Sequence, residues 1–336
     1  MQLKKISFSR QTTAFYFGAA FSHLKKIVPQ KTTVVVTDEH VFAAHKKLLK
    51  GWNLIVLKAG EEYKVQATVD SMIERLLDMH ADRTWTLVGV GGGVVTDMVG
   101  YVASVFLRGV SFGFVPTTVL GMVDAAIGGK NGIDVGVYKN MVGTINQPQF
   151  LLYDVTLLKT LPDNEWRNGF AEVIKHAAIM DAAMFKELEK RNVSFYQKNK
   201  LALQKLIQRN ALLKAAVVKD DEFEKDKRRL LNFGHTLGHA VEKQYELMHG
   251  EAIAIGMTFA AKLSVDMLHF KSAERLLKLI DQYGLPITAG YNKQKVFDVL
   301  LSDKKREGEQ MNFILLERVG KAVIRKISLK EIYKLI

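Results

Sequence analysis

Three of the chain's 9 histidines fall in one short stretch, and they are the first residues whose types and spacing could do chemistry. His235 and His239 lie four apart in Leu230-Leu231-Asn232-Phe233-Gly234-His235-Thr236-Leu237-Gly238-His239, which puts both imidazoles on one face of a helix. His249 opens the next apolar run, in Met248-His249-Gly250-Glu251. Imidazoles converging in this way can ligate a divalent ion, although the same spacing also suits histidines packed in a core. The glutamate of the zinc-protease HExxH pattern is absent, so an ion held here needs a carboxylate from elsewhere. Upstream, Glu172 and Lys175 sit three apart inside the apolar run Gly169-Phe170-Ala171-Glu172-Val173-Ile174-Lys175-His176-Ala177. They either pair with each other on a solvated face or face inward, where a charge needs a partner, a metal or a ligand. Two histidines and one glutamate with positions left open form a catalytic set for zinc or a similar ion.

Composition bounds what can surround such a site. The 336 residues are 48% hydrophobic and 25% charged, enough for two globular domains and without signs of disorder. With no cysteine, thiolate ligands, disulfides and cysteine nucleophiles are excluded, and any metal must use His, Asp, Glu and water. Apolar runs stop well short of a membrane span and Met1-Gln2-Leu3-Lys4-Lys5 lacks a signal-peptide core, so a cytoplasmic chain without membrane contact is expected. The net charge of +13 is spread along the chain with no aromatic-basic or zinc-finger pattern to accompany a nucleic-acid reading, and a small polyanionic substrate explains part of the excess equally well.

The elements that must position these residues change character along the chain. Thr33 to Thr37, Asn53 to Leu57 and Thr84 to Val90 are β-rich runs separated by helical patterns such as Val65 to His80, and this alternation predicts a parallel sheet. The third run ends in Gly89-Val90-Gly91-Gly92-Gly93 and opens into Val94-Val95-Thr96-Asp97, which reads as strand, glycine turn and helix. Backbone amides at such a helix start can receive a pyrophosphate, although Val94 breaks strict GxGxxG spacing and the turn could be only a tight connection. Past about Tyr153, segments 163–192, 197–220, 231–247, 250–269 and 271–283 carry helical periodicity, with Gly284-Leu285-Pro286 as a stop. Asn312 to Glu317 and Ala322 to Ile327 flank Gly320 as a hairpin. The metal candidates thus lie in a helical half and the dinucleotide candidate in an α/β half, and a cleft between domains is expected to join them.

From about Thr37 to Gly320 the chain resembles the 3-dehydroquinate synthase family. The resemblance is carried by Gly91-Gly92-Gly93-Val94-Val95-Thr96-Asp97, Leu107-Arg108-Gly109, Val115-Pro116-Thr117-Thr118, Met122 to Lys130, Lys139-Asn140-Met141-Val142-Gly143, Ala171 to Lys175, Lys214 to Asp221, Arg228 to His239, His249-Gly250-Glu251 and Asp303-Lys304-Lys305. It implies an α/β N-terminal Rossmann-like domain (1–155) that binds NAD and a mainly α-helical C-terminal domain (156–336) for metal and substrate, in a homodimer. By the same resemblance Glu172, His235 and His249 are the metal ligands, for zinc or cobalt, and His239 becomes a substrate contact. Asp38, Glu61, Lys64, Gly91, Gly92, Asp97, Thr117, Thr118, Lys130 and Lys139 are implied on the NAD side. Asp124, Lys130, Lys139, Asn140, Lys175, Lys214, Arg228, Asn232, His239 and Lys304 are implied around the substrate, with Arg108 reaching the partner subunit's site.

The implied substrate, 3-deoxy-D-arabino-heptulosonate 7-phosphate, carries a carboxylate and a phosphate, which a set of lysines and arginines suits. The implied reaction oxidises a substrate hydroxyl at NAD, loses phosphate by β-elimination, reduces the ketone again and recloses the opened ring by an intramolecular aldol step. Asp124-Ala125-Ala126, Asn131-Gly132-Ile133-Asp134 and Val137-Tyr138 depart from the commonest family pattern without removing a charged pocket residue. The nearest alternatives are another sugar phosphate cyclase, of the 2-epi-5-epi-valiolone or 2-deoxy-scyllo-inosose synthase type, and more distantly a metal-dependent polyol dehydrogenase. Retention of Lys214, Arg228, Asn232 and Lys304 at the carboxylate end favours the first reading.

Overall fold

The computed structural model describes residues 1–136, 138–245, 247–301 and 306–336. It resolves into two compact units, Met1–Pro162 with Asn199–Phe223, and Asp163–Lys198 with Glu224–Ile336. Among the described residues no helix is long and apolar enough to cross a membrane.

The first unit is built on a seven-stranded sheet in the order β1 (Gln2–Ser7), β2 (Thr12–Phe17), β9 (Phe150–Tyr153), β6 (Ser111–Pro116), β5 (Thr86–Gly91), β3 (Thr33–Asp38) and β4 (Asn53–Leu57). All neighbours from β2 to β4 pair in parallel, and β1 returns antiparallel on β2 at the edge. The alternation of strand and helix in the sequence dictates this arrangement, because parallel neighbours need a crossover between them. Strand β3 shows the consequence for composition: Val34, Val35 and Val36 are fully buried, as a strand covered on both faces requires. A separate hairpin, β7 (Lys130–Val135) with β8 (Tyr138–Ile145), was not foreseen from the sequence.

The helix Lys200–Asp220 belongs to this unit and buries Leu203, Leu206, Ile207, Ala211 and Val218. This division differs from the one read at 155/156. Helical periodicity assigned 197–220 to the helical half, but periodicity reports which face of a helix is apolar and says nothing of which core receives it.

The second unit is mainly helical. Its helix Asp163–Met180 is buried on every side from Asn168 to Ile179. The helices His235–Tyr245 and His249–Leu268 share a core with Val296, Met311, Phe313, Leu315 and Ile327. The latter four lie on the hairpin of β10 (Gln310–Arg318) and β11 (Lys321–Ser328), which the sequence places at the same turn, Gly320.

Candidate functional site

Glycines let the three chemistry-bearing helices of the second unit approach closely. A Cβ on Gly250 would stand 2.3 Å from the Asn168 carbonyl oxygen, and one on Gly256 would stand 1.8 Å from that of Gly234. The Gly250 amide donates to Asn168 Oδ1, which locks the start of the His249 helix against the Glu172 helix. Glu172, His235 and His249 are thereby brought together. Glu172 Oε1 lies 3.7 Å from His235 Nε2 and 3.6 Å from His249 Nε2, too far for hydrogen bonds. Donor atoms about 2.0–2.2 Å from a tetrahedral ion stand roughly 3.3–3.6 Å apart, so the set fits a divalent ion after a slight contraction.

The tautomers fit as well. His235 Nδ1 lies 3.1 Å from the Phe233 carbonyl, and His249 Nδ1 lies 3.3 Å from Glu242 Oε2. Both of those oxygens only accept, so each Nδ1 keeps a proton and each Nε2 faces Glu172, where it offers a lone pair once the ring is neutral. Glu172 is fully buried and its other oxygen pairs with the Lys175 ammonium, itself 1% exposed. The self-pairing left open by the sequence therefore occurs, but inside the unit and not on a solvated face. Burial opposes charge on His249, yet the carboxylates of Glu172 and Glu242 outweigh it and push its pKa up to about 9. His239 sits beside these rings, 5.1 Å from His235 and 6.1 Å from His249 between centroids, and is exposed. Arg228 is buried, and Asn232 donates to Glu224 Oε1 at 2.8 Å. Lys304 lies outside the described residues.

In the first unit, the glycine turn follows β5 as expected. Gly92 is the N-cap of the helix Gly93–Val105, with no side-chain cap among the described residues, which leaves its first amides for an anion. The Thr117 amide donates to the Gly91 carbonyl, Thr118 Oγ1 accepts from the Gly121 amide, and Thr117 Oγ1 is buried without a hydrogen-bond partner among the described residues. These groups occupy the C-terminal ends of β5 and β6, where an open α/β sheet takes its ligand. Asp38 ends β3 and spends Oδ1 on the amides of His40 and Val41, capping the next helix.

Lys64 is buried and donates to Asp97 Oδ2 at 2.6 Å and Asn140 Oδ1 at 2.7 Å, with Glu61 at 3.8 Å. Burial opposes the Lys64 charge, but Asp97 and Glu61 hold its ammonium above the usual lysine range; burial pushes Asp97 up to about 6 against the pull of Lys64. Asn140 takes φ +55°, and its amide donates to Asp134 Oδ1. Lys130 and Lys139 are exposed on the hairpin. Lys214, mostly buried, bonds both the Asp124 carboxylate and its carbonyl at 2.8 Å. Asp124 lies in a single π-turn, Gly121–Ala125, a conformation frequent at functional sites. Arg108 is exposed just beyond the helix Gly93–Val105, where Leu107, Arg108 and Gly109 take φ +50°, +64° and +119° in succession.

Sequence reading missed Glu242, Asp134 and Glu224. Glu242 had a signal, since it stands seven after His235 and three after His239, on the same helix face.

The models of the 3-dehydroquinate synthase N-terminal and C-terminal regions match residues 54–168 and 169–306. A 3-dehydroquinate synthase from Campylobacter concisus is 35% identical over 339 residues, covering 97% of this chain and 97% of its own. Among solved structures, 2-deoxy-scyllo-inosose synthase complexed with carbaglucose-6-phosphate, NAD+ and Co2+ superposes with TM-score 0.87 at 26% identity, covering 99% of each chain. The 2-epi-5-epi-valiolone synthase ValA from Streptomyces hygroscopicus subsp. jinggangensis, with NAD+ and Zn2+ bound, gives TM-score 0.86 at 26% identity, covering 100% of this chain and 97% of its own. The fold is accordingly an α/β Rossmann-like region with a mainly helical one, as in the sugar phosphate cyclases. The chain belongs to the 3-dehydroquinate synthase family: it is an enzyme, a carbon–oxygen lyase that converts 3-deoxy-D-arabino-heptulosonate 7-phosphate to 3-dehydroquinate and phosphate.

Proposed function

We propose that Glu172, His235 and His249 hold a zinc or cobalt ion, that the glycine turn and its neighbours hold NAD, and that the enzyme works as a cytoplasmic homodimer. The observation that carries the metal reading is the convergence of three donor atoms, from buried Glu172 and His235 and half-buried His249, with both imidazoles oriented by hydrogen bonds at Nδ1. When bound, the ion supplies Lewis acidity to a substrate hydroxyl and its ketone, and NAD supplies a reversible hydride acceptor. The protein's own groups do the rest. The uncapped helix start after Gly92 and the hydroxyls of Thr117 and Thr118 receive the cofactor's phosphates, with Asp38, Glu61, Lys64 and Asp97 orienting it. Arg228 binds the substrate carboxylate as a planar fork, with Asn232 and Lys304 beside it. Lys130, Lys139, Asn140, Lys175 and Lys214 serve the phosphate and hydroxyls, and Asp124 fixes Lys214. His239, exposed beside the ligand rings, contacts substrate without holding the ion. Together these groups hold each intermediate in a reactive conformation.

Two features support the homodimer. Val135, Tyr138, Met141, Val142 and Ile145 on the hairpin, with Val105 and Leu107, are large apolar side chains left exposed. The backbone strain at Leu107 and Arg108 turns a charge outward, where it serves a second copy of the chain.

Purified protein incubated with the heptulosonate phosphate, NAD and zinc tests the reading by following dehydroquinate and free phosphate. Stoichiometric release of both without net NADH is expected. Net NADH formation points to a polyol dehydrogenase, and turnover only of sugar phosphates lacking the carboxylate points to another cyclase.

A further inference from the structure

We infer that Glu242 is the positioning residue of the metal centre: its carboxylate holds the imidazole of His249 in the ligating tautomer and raises its donor strength. This rests on the metal reading above and deepens it. Glu242 is buried, and its Oε2 lies 3.3 Å from His249 Nδ1 on the side of the ring away from Glu172, which Nε2 faces at 3.6 Å. The two ligand histidines are therefore held unequally. His235 gives its Nδ1 proton to a neutral carbonyl, Phe233 O, at 3.1 Å, whereas His249 gives its proton to a charge. A carboxylate behind an imidazole makes the opposite nitrogen the stronger donor and fixes the ring plane. His249 needs this more, because its side chain is 28% exposed against 11% for His235, and less packing constrains its ring.

The closing experiment loads metal-free protein with zinc and measures the dissociation constant by chelator competition, with the visible spectrum of the cobalt form as a second readout. Glu242→Ala should weaken zinc roughly 10–100-fold. Glu242→Gln keeps size and an acceptor but loses the charge. It should weaken zinc less, by up to about tenfold, and shift the cobalt bands, which a packing role would not do. Glu242→Asp should fall between Glu242→Gln and the unaltered protein. Unchanged affinity and spectrum in Glu242→Gln and Glu242→Ala, with zinc lost in His249→Ala, overturn the role of Glu242 while the metal centre stands. His239, Glu242 and His249 also present three donor atoms within 4.8 Å of one another, a rival set. Complete metal loss in both Glu242→Ala and His239→Ala, with metal retained in His235→Ala, makes Glu242 a ligand and overturns the proposal. A wild-type protein that takes up no stoichiometric ion overturns both the metal reading and this one.

Discussion

The two charged clusters of this chain are built in opposite ways. Glu172, Lys175 and His235 ride on closely packed helices, the first two 0–1% exposed, and hydrogen bonds fix the tautomers of His235 and His249. Lys64, Asp97, Asn140 and Asp134 instead join a short turn, a helix and an exposed hairpin, with Asn140 in left-handed backbone. A buried set owns its geometry before a ligand arrives, because close packing and short pairings such as that of Glu172 with Lys175 fix its charges. The second set, although Lys64 and Asp134 are buried, is anchored through Asn140 on an exposed strand, where water screens it until a ligand displaces that water. Substitutions in the first should act all or none, and in the second by degrees.

The largest break in this contrast is expected at the metal ligands. Chelation should abolish turnover, and Glu172→Gln, His235→Ala and His249→Ala should each lose the ion, read by metal analysis of the purified variants. Glu172→Gln also removes the carboxylate charge paired with the buried Lys175 ammonium, at about 3–5 kcal/mol of stability in the metal-free protein, measurable by urea unfolding. Full metal content in any two of the three variants defeats the assignment. His239→Ala should keep its ion and lose turnover.

Next comes Arg228→Ala, expected to cost about 2–5 kcal/mol in kcat/KM for the carboxylate-bearing substrate and far less for an analogue lacking that group. Equal losses on both would show that Arg228 does not read the carboxylate. In the first unit, a Cβ on Gly91 would stand 2.6 Å from the Val95 side chain at the start of the turn's helix. Gly91→Ala should therefore cost about 1–3 kcal/mol of stability and weaken NAD by a graded amount, seen by calorimetry. Unaltered NAD affinity would detach the turn from the cofactor.

Smaller still is the recovery expected on mixing Arg108→Ala chains with Lys175→Ala chains. Random pairing makes half the dimers mixed, each with one intact site, so about a quarter of wild-type activity should return. No recovery despite proven subunit exchange would put Arg108 in its own subunit's site or outside catalysis.

The finest test is of pH. His249 in the metal-free protein titrates near 9, above its ordinary 6.5, so its protonation contributes stability that is present below 6.5 and lost as pH rises through about 9. Metal must displace that proton, so loading releases about one proton per ion at neutral pH. The rise in Tm on adding zinc should shrink as pH falls from 9 toward 6.5; a constant increment would show that His249 carries no proton in the unloaded site.

Much of this was legible in the chain itself. The β-branched runs and the glycine turn marked β3, β4, β5 and the helix after Gly92, because strand and helix periods are local properties. The hairpin of β7 and β8 was not legible, since its exposed apolar residues carry no alternation against a core of their own. Nor was the allegiance of Lys200–Asp220 to the α/β unit.

For the metal centre, the residue types and the i, i+4 spacing announced imidazole chemistry, and collinear motifs named Glu172, His235 and His249. Spacing alone pointed to His235 with His239 as the pair. What brings His249 to Glu172 is tertiary: Gly250 closing on Asn168 sets Nε2 of His249 3.6 Å from Glu172, while His239 is left exposed. The sequence by itself determined which groups were available and on which helix faces they stood. Only the packing of three helices at glycine contacts decided which donor atoms meet, because a local period fixes direction around one axis and carries no information about the distance between axes.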